Sequence, residues 1–479
     1  MTFSHPSTTA PGLDAKTSSA LSRADHHARA YLSALDSAPV ATTAARAALL
    51  TRLDVPLGVE GLPADRVVDE LAVAVEGGLI GSVGGRFFAW VIGGALPSAV
   101  ATEWLVSAWD QNAAIYATSP ASSVVEEVAG KWLLDLLRLP PHASFGFTTG
   151  CQTAHFTALA AARDHLLRQR GWDVALDGMV GAPPLRVFVT AMHHVSIDRA
   201  LRYLGIGSRQ ITVLPVAADG RLEPATLEAA LVASDGPAIV ALNAGDLNLG
   251  VFDPFTDLVP LAQRHGAWVH VDGAFGLFAR SSERFDALTA GIEQADSWAT
   301  DCHKWLNVPQ DCGFVGVRHP DAHRRGLTIR DSYFVAEDAA RDEIDWNPEW
   351  SRRARGFPVY AALRELGRGG VTSLIERSVD YCRELVDGIG ALPSAEVVWR
   401  PTINQGLVRF LAEGPGASPE EHDQRTEDVI ARINQSGEAM FGGVTWNGRR
   451  AMRVSVVNWR TTVADIERAV AAVAYVLRA

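Results

Sequence analysis

The chain has 479 residues, 48% apolar and 20% charged, with a formal net charge of −12. That is enough apolar chain for a large buried core and roughly two to four structural units, and it excludes a disordered or collagen-like polymer. The acidic balance argues against a broad nucleic-acid or anionic-membrane surface, so any bound anion has to be held locally.

The first 25 residues are rich in Ser, Thr and Ala and lack a basic start followed by an apolar block. They read as a mobile tail or partner-wrapping arm. From 26 to 97 the pattern is helical segments and loops without strand rhythm. Ser123-Val124-Val125-Glu126 has the form of a capping box and predicts a helix from there through Leu137, ended by Pro140-Pro141. Strand-like runs then follow at 187–191, 211–216, 238–243, 267–271 and 313–317, with helical stretches such as 154–170 and 254–265 between several of them. This alternation predicts an α/β unit with a mostly parallel sheet and helices on both faces, spanning 98–365. After about 365 the rhythm changes to a helix at 371–389, strands at 396–399, 406–412 and 452–457, and a final helix capped by Thr462-Val463-Ala464-Asp465. That predicts a smaller C-terminal α+β domain over 366–479. The apolar run at 469–477 is too short to span a bilayer, so no membrane partner is expected.

Four cysteines, Cys151, Cys302, Cys312 and Cys382, form no C-x-x-C pair and read as reduced thiols of a cytoplasmic protein, with no metal expected. Lysine occurs only at Lys16, Lys131 and Lys304. A lysine in an apolar, aromatic setting is therefore a rare event in this chain.

Four short segments fall at strand ends or loops of the α/β region, where an open parallel sheet presents its ligand groups. Thr149-Gly150-Cys151-Gln152 leads into a helix and offers hydroxyls and free N–H groups to a phosphate, although a plain N-cap and tight turn has the same look. His194 follows a strand and can lay a flat imidazole on a planar ring; a histidine satisfied at a strand end is the alternative. Asp272 ends an apolar strand, and its buried charge needs a partner such as a protonated ring nitrogen. The small Gly273 and Ala274 let a flat ligand lie close, while an Asp capping the next turn is the other reading. Lys304 lies between His303 and Trp305-Leu306, where desolvation is expected to lower its pKa and free the amine for Schiff-base chemistry. Together the four describe pyridoxal 5′-phosphate (PLP), whose electron-sink chemistry needs a protonated pyridine and a lysine imine.

These segments, with Ser119-Pro120, Gly250-Val251-Phe252-Asp253-Pro254, Ser351-Arg352-Arg353-Ala354-Arg355 and Asn458-Trp459-Arg460-Thr461-Thr462, make the chain resemble the group II PLP-dependent amino-acid decarboxylases. That family holds the aromatic-amino-acid, histidine and glutamate decarboxylases, and the likeness runs from about Trp104 to the C-terminal helix. The resemblance implies PLP fold type I (aspartate aminotransferase-like) and an obligate homodimer with interfacial active sites; residues 1–97 are read as an N-terminal tail and helical segment that wraps the partner. It implies Lys304 as the imine-forming lysine, Asp272 as the pyridine-nitrogen partner, His194 as the stacking imidazole and Ala274 against the other ring face. Cys151, Gln152 and His303 would lie near the phosphate.

The departures are specific. Cys151 and Gln152 stand where the family usually has Gly and Ser or Thr, Thr153 replaces a glutamate, and Asp246 replaces a threonine near the cofactor. A mobile-loop tyrosine protonates the substrate carbanion in characterised relatives. The corresponding stretch, 328–350, has its only tyrosine at its start, Tyr333, which becomes the candidate donor. The expected activity is a carboxy-lyase acting on an L-amino acid, with decarboxylative oxidation to an aldehyde, another lyase reaction or transamination as the alternatives. Phe87, Phe88, Trp90 and Tyr116 are candidate residues of the substrate's access route, suited to an aromatic side chain, and equally to core or interface.

Overall fold

The computed structural model describes residues 12–329, 340–414 and 416–478. A seven-stranded sheet forms the centre: β1 (Ser144–Thr148), β2 (Arg186–Thr190), β3 (Ile211–Leu214), β4 (Ala238–Asn243), β5 (Trp268–Asp272), β6 (Ser297–Asp301) and β7 (Gly313–Val317). Its order is β1-β7-β6-β5-β4-β2-β3, with β2 to β6 joined by parallel pairings and β7 antiparallel to both β1 and β6. The expected mostly parallel α/β sheet is present.

Strand parity sorts the core. Phe188, Val240, Leu242, Val269 and Val271 join one apolar cluster with Leu133, Phe147 and Phe314. Val187, Val189, Ile239, Ala241 and Trp268 join another beneath the helix Cys151–Arg168, through Ala154, Ala158, Ala161 and Leu166. Successive side chains alternate faces, so Trp268, His270 and Asp272 all point to the side of that helix. Burial on both faces is why these strands read as continuous apolar runs.

The second sheet is fully antiparallel, β10-β11-β9-β8, built from β8 (Ala395–Trp399), β9 (Gln405–Phe410), β10 (Gly442–Trp446) and β11 (Arg449–Ser455). The helices Pro419–Ser436 and Val463–Arg478 cover it through Val429, Ile433, Ile466 and Val473. The expected box at Thr462 is formed: the Asp465 carboxylate accepts the Thr462 N–H and the Thr462 hydroxyl oxygen accepts the Asp465 N–H. One helix, Gly356–Gly390, links this layer to the large sheet and bends at Gly367, whose φ of 59° is open to glycine and costly for other residues.

Three expectations need correction. The first 25 residues include the start of the helix Ala15–Ala34, opened by Asp14 accepting the Thr17 N–H. The helix predicted from Ser123 begins at Pro120, with Ser119 as its N-cap. Pro at the first helical position needs no N–H partner, which moves the start upstream. Ser123 gives its hydroxyl to the Arg341 carbonyl and Glu126 is buried against Arg352, so neither caps anything. Strands β1, β6 and β10 are additional to the predicted ones.

Candidate active site

The carboxyl ends of β2, β4, β5 and β6 lie side by side and carry Thr190, Asn243, Asp272 and Asp301. Asp272 is buried, and its Oδ1 accepts the Ala274 N–H at 3.1 Å. Asp301 is buried too and acts as a hub. Its Oδ1 accepts the Cys151 N–H at 2.5 Å, and its Oδ2 lies 3.0 Å from Lys304 Nζ. One carboxylate thereby ties the lysine loop to the first turn of the helix Cys151–Arg168. The Lys304 side chain is 23% exposed against 4% for Asp301, so the amine keeps access from outside.

This pairing corrects the expectation for Lys304. Burial lowers its pKa, but the charge of Asp301, with help from Cys151 and Asp272, outweighs burial and raises it above the ordinary lysine value. The resting amine is an ammonium, and nucleophilic attack requires loss of that proton. Asp272 runs the other way: burial raises it, yet the field and hydrogen bond of His155, then Lys304 and the Ala274 N–H, hold it well below the ordinary carboxylate range. Asp272 is therefore an anion available to a cationic ring nitrogen.

The Thr149-Gly150 turn is packed without slack. A Cβ on Gly313 would stand 2.5 Å from the Gly150 carbonyl carbon, and one on Gly150 would meet Asp301 and His303 at 3.4 Å. Thr149 and Thr153 hydroxyls pair at 2.7 Å, and Gln152 Oε1 accepts from exposed Arg199 at 3.2 Å. Helix N-termini leave N–H groups for an anion, and Arg199 adds a cation that sequence reading did not pick out. His303 accepts the Cys312 N–H on Nδ1 at 3.1 Å, with Nε2 3.6 Å from Asp301; burial holds its pKa down.

His194 caps the helix Val195–Tyr203, its Nδ1 accepting the Ser196 N–H. Desolvation lowers its pKa, with Asp272 pulling up and Lys304 pushing down, which places its ring in the same field as both. The Cys151 side chain turns toward Asp272: Sγ is 3.9 Å from Oδ1 and 3.3 Å from His155 Nε2. Burial, then Asp301 and Asp272, push this thiol well above its ordinary pKa. Asp246 uses its carboxylate on its own loop, accepting the N–H groups of Asn248, Leu249 and Val251 at 2.8, 3.1 and 2.9 Å. Tyr333 lies outside the described residues. Phe87 and Phe88 are core, Phe88 stacking on Phe441, so they are not part of an access route; Trp90 is exposed and Tyr116 half-buried.

Sequence reading missed Asp301, His155 and His270. The available signals were spacing alone: Cys151 and His155 are one helical turn apart, and His270 shares a strand face with Asp272. Cys151 Sγ, His155 Nε2 and an Asp272 oxygen lie within 4.8 Å of one another, a donor set that also has the chemistry of metal ligands.

The model of the pyridoxal-dependent decarboxylase conserved domain matches residues 51–413. The chain belongs to this family. Among its relatives is L-2,4-diaminobutyrate decarboxylase of Rhizobium meliloti (strain 1021), 28% identical over 382 residues, 77% of this chain and 73% of that protein. Tryptophan decarboxylase 1 of Oryza sativa subsp. japonica is 28% identical over 455 residues, 89% and 87% of the two chains. In fold, the crystal structure of Oryza sativa TDC with PLP and tryptamine matches at a TM-score of 0.91 and 24% identity, covering 98% of this chain and 99% of that one. This decarboxylase is a PLP-dependent carboxy-lyase of amino acids with fold type I architecture.

Proposed function

We propose that the enzyme converts an L-amino acid with an aromatic or apolar side chain to its amine, at a site where Lys304 and Asp272 hold the two ends of PLP, in a homodimer. The observation that carries the site is the single buried unit joining Lys304 to Asp272 through Asp301 and Cys151. Its groups fit the cofactor: an accessible amine, an anionic carboxylate at a strand end, and a glycine turn packed at a helix N-terminus. When bound, PLP supplies an electron sink for the pair left behind by carbon dioxide. Lys304 would hold the aldehyde carbon, and Asp301 is placed to take or return the lysine proton. Asp272 would keep the ring nitrogen protonated, Ala274 would lie on one ring face and His194 on the other. Thr149, Gly150, Gln152, His303 and Arg199 would neutralise the phosphate. Tyr333 as the donor of the proton that replaces carbon dioxide at Cα rests on sequence alone.

The side-chain preference rests on Trp90. This indole is 55% exposed, in a segment so close to the lysine loop that a Cβ on Gly93 would stand 2.0 Å from the Lys304 carbonyl oxygen. The homodimer is supported by the helices Ala15–Ala34, Arg46–Leu53 and Ala64–Ala74, none of which has a buried residue in the single chain, and by exposed Leu50, Leu53, Leu57 and Leu71. Four buried free cysteines suit a reducing, cytoplasmic setting.

Borohydride reduction and peptide mapping are expected to place one pyridoxyl group on Lys304; a label on Lys16 or Lys131 overturns the site. An amino-acid panel read for carbon dioxide, amine and carbonyl product then tests the reaction. Tyr333→Phe is expected to lower amine formation by about 10²–10⁴-fold, the range of a lost general acid, and to raise carbonyl product. An unchanged product ratio would remove Tyr333 from the mechanism.

A further inference from the structure

Behind Asp272 runs a chain of buried polar groups that crosses from β6 through β5 to the helix Cys151–Arg168. Trp268 Nε1 is 2.9 Å from Ser297 Oγ, which is 2.9 Å from His270 Nδ1. His270 Nε2 is 2.8 Å from His155 Nδ1, and His155 Nε2 lies 3.5 Å from Asp272 Oδ2 and 3.3 Å from Cys151 Sγ. Ser297, His270 and His155 are all buried.

The direction of the protons follows from chemistry. An indole N–H only donates, so Ser297 Oγ accepts there and has its own proton for His270 Nδ1. Burial, with the neighbouring His155 ring, holds His270 down to about 3, so this imidazole is neutral and carries a single N–H. With Nδ1 accepting, that proton sits on Nε2 and is donated to His155 Nδ1. His155 then presents Nε2–H to the thiol and the carboxylate. The reverse order would set an imidazole lone pair against the Asp272 carboxylate at 3.5 Å. The Cys151 S–H and the Ala274 N–H complete the set of donors on Asp272.

We propose that His155 is a positioning residue: with His270 and Ser297 it forms a one-way relay of donors that orients Asp272 and keeps it an anion for the cofactor's ring nitrogen. This rests on PLP binding at Asp272 as proposed above. The relay gives Cys151 and His155 a joint purpose, one turn apart on the same helix.

The test uses the full-length chain, stripped of cofactor and titrated with either PLP or its 1-deaza analogue, in which carbon replaces the ring nitrogen. His155→Gln keeps an N–H near the Nε2 position; His155→Asn keeps an amide only near Nδ1, in reach of His270 and short of Asp272; His155→Leu keeps neither. Leu and Asn leave Asp272 without the donor that orients it and keeps it an anion, so they are expected to weaken PLP by about tenfold, one unit of lost pKa depression, and to leave the analogue unchanged. Gln is expected to stay close to the native affinity. Equal weakening of both ligands, or Gln behaving like Leu, would show a structural role only and overturn the relay. If Leu fails to fold, the Asn and Gln pair decides. A native chain that binds both ligands equally would overturn the role of Asp272 itself, an outcome distinct from failure of the relay alone.

Discussion

At the scale of single residues, Asp301 is the largest of the influences that keep Lys304 charged. Burial alone would favour the neutral amine, and Asp301 at 3.0 Å reverses that. Asp301→Asn keeps an oxygen to accept the Cys151 N–H but removes the charge, so burial becomes the dominant influence and the lysine pKa falls. Trapping PLP on Lys304 with borohydride across a pH series is expected to show the half-maximal pH moving down in the variant. A midpoint that stays put would mean that the contact with Asp301 does not govern the amine. Such a shift makes capture faster at neutral pH while removing a group placed to hold the departing proton. The same substitution should therefore separate cofactor loading, which gains, from turnover, which loses.

At the scale of elements, the site is braced from beneath by a buried pair. Arg352 NH1 meets both oxygens of Glu126 at 2.8 and 2.9 Å and also the Ala113 carbonyl, while NH2 reaches the Phe147 carbonyl on β1 at 2.6 Å. This links the helix Pro120–Leu136, the segment leading into the Gly356–Gly390 helix and the strand feeding the Thr149 turn. Burial pushes Glu126 up to about 8 against the pull of Arg352, so Arg352→Met, which leaves this buried acid without its cation, is expected to cost up to about 3–5 kcal/mol, whereas Glu126→Leu with Arg352→Met should recover much of it. Urea unfolding of the two singles and the double checks the coupling; additive losses would show that the pair does not act as a unit. The same pair marks a limit of sequence reading. Ser123-x-x-Glu126 has the spacing of a capping box, and only the fold reveals a partner 226 positions away. Strands flanked by helices on both faces were legible because their apolar runs are continuous. Strands β1 and β6 were not, since their Ser and Thr side chains are satisfied at a distance: Ser144 by His323, Ser297 by Trp268, Thr300 by the Ala274 carbonyl. In the site, Lys304 and Asp272 stood out because their chemistry depends on residue type within a short motif. Asp301 and His155 gain theirs from the register of β5 and β6 and from helix packing, which no local pattern carries.

At the scale of the whole molecule, burial of neutral imidazoles makes the fold lose stability in acid. His270 and His323 are both held down to about 3. For His323 the causes are burial first and then the Arg341 charge, opposed by the bond to the Trp346 carbonyl at 3.0 Å. A histidine that stays neutral when folded but protonates near its ordinary value when unfolded gives the unfolded chain the extra proton in acid. Its contribution to stability is therefore complete above about pH 6.5 and is lost as the pH falls toward the folded value. Asp253, raised to about 6 by burial, acts in the opposite direction between 6 and the ordinary aspartate value. A bare acid-unfolding curve mixes the two, so the informative quantity is the difference between the native chain and His323→Gln. Glutamine can donate to the Trp346 carbonyl and gains no proton. At about 1.4 kcal/mol per pH unit, the native chain should lose roughly 3 kcal/mol relative to the variant between pH 6.5 and 4. Paired denaturant unfolding at several pH values measures this directly. A constant gap would mean that His323 already carries its proton in the folded state, and a gap that changes in the native chain's favour would reverse the sign derived from its burial.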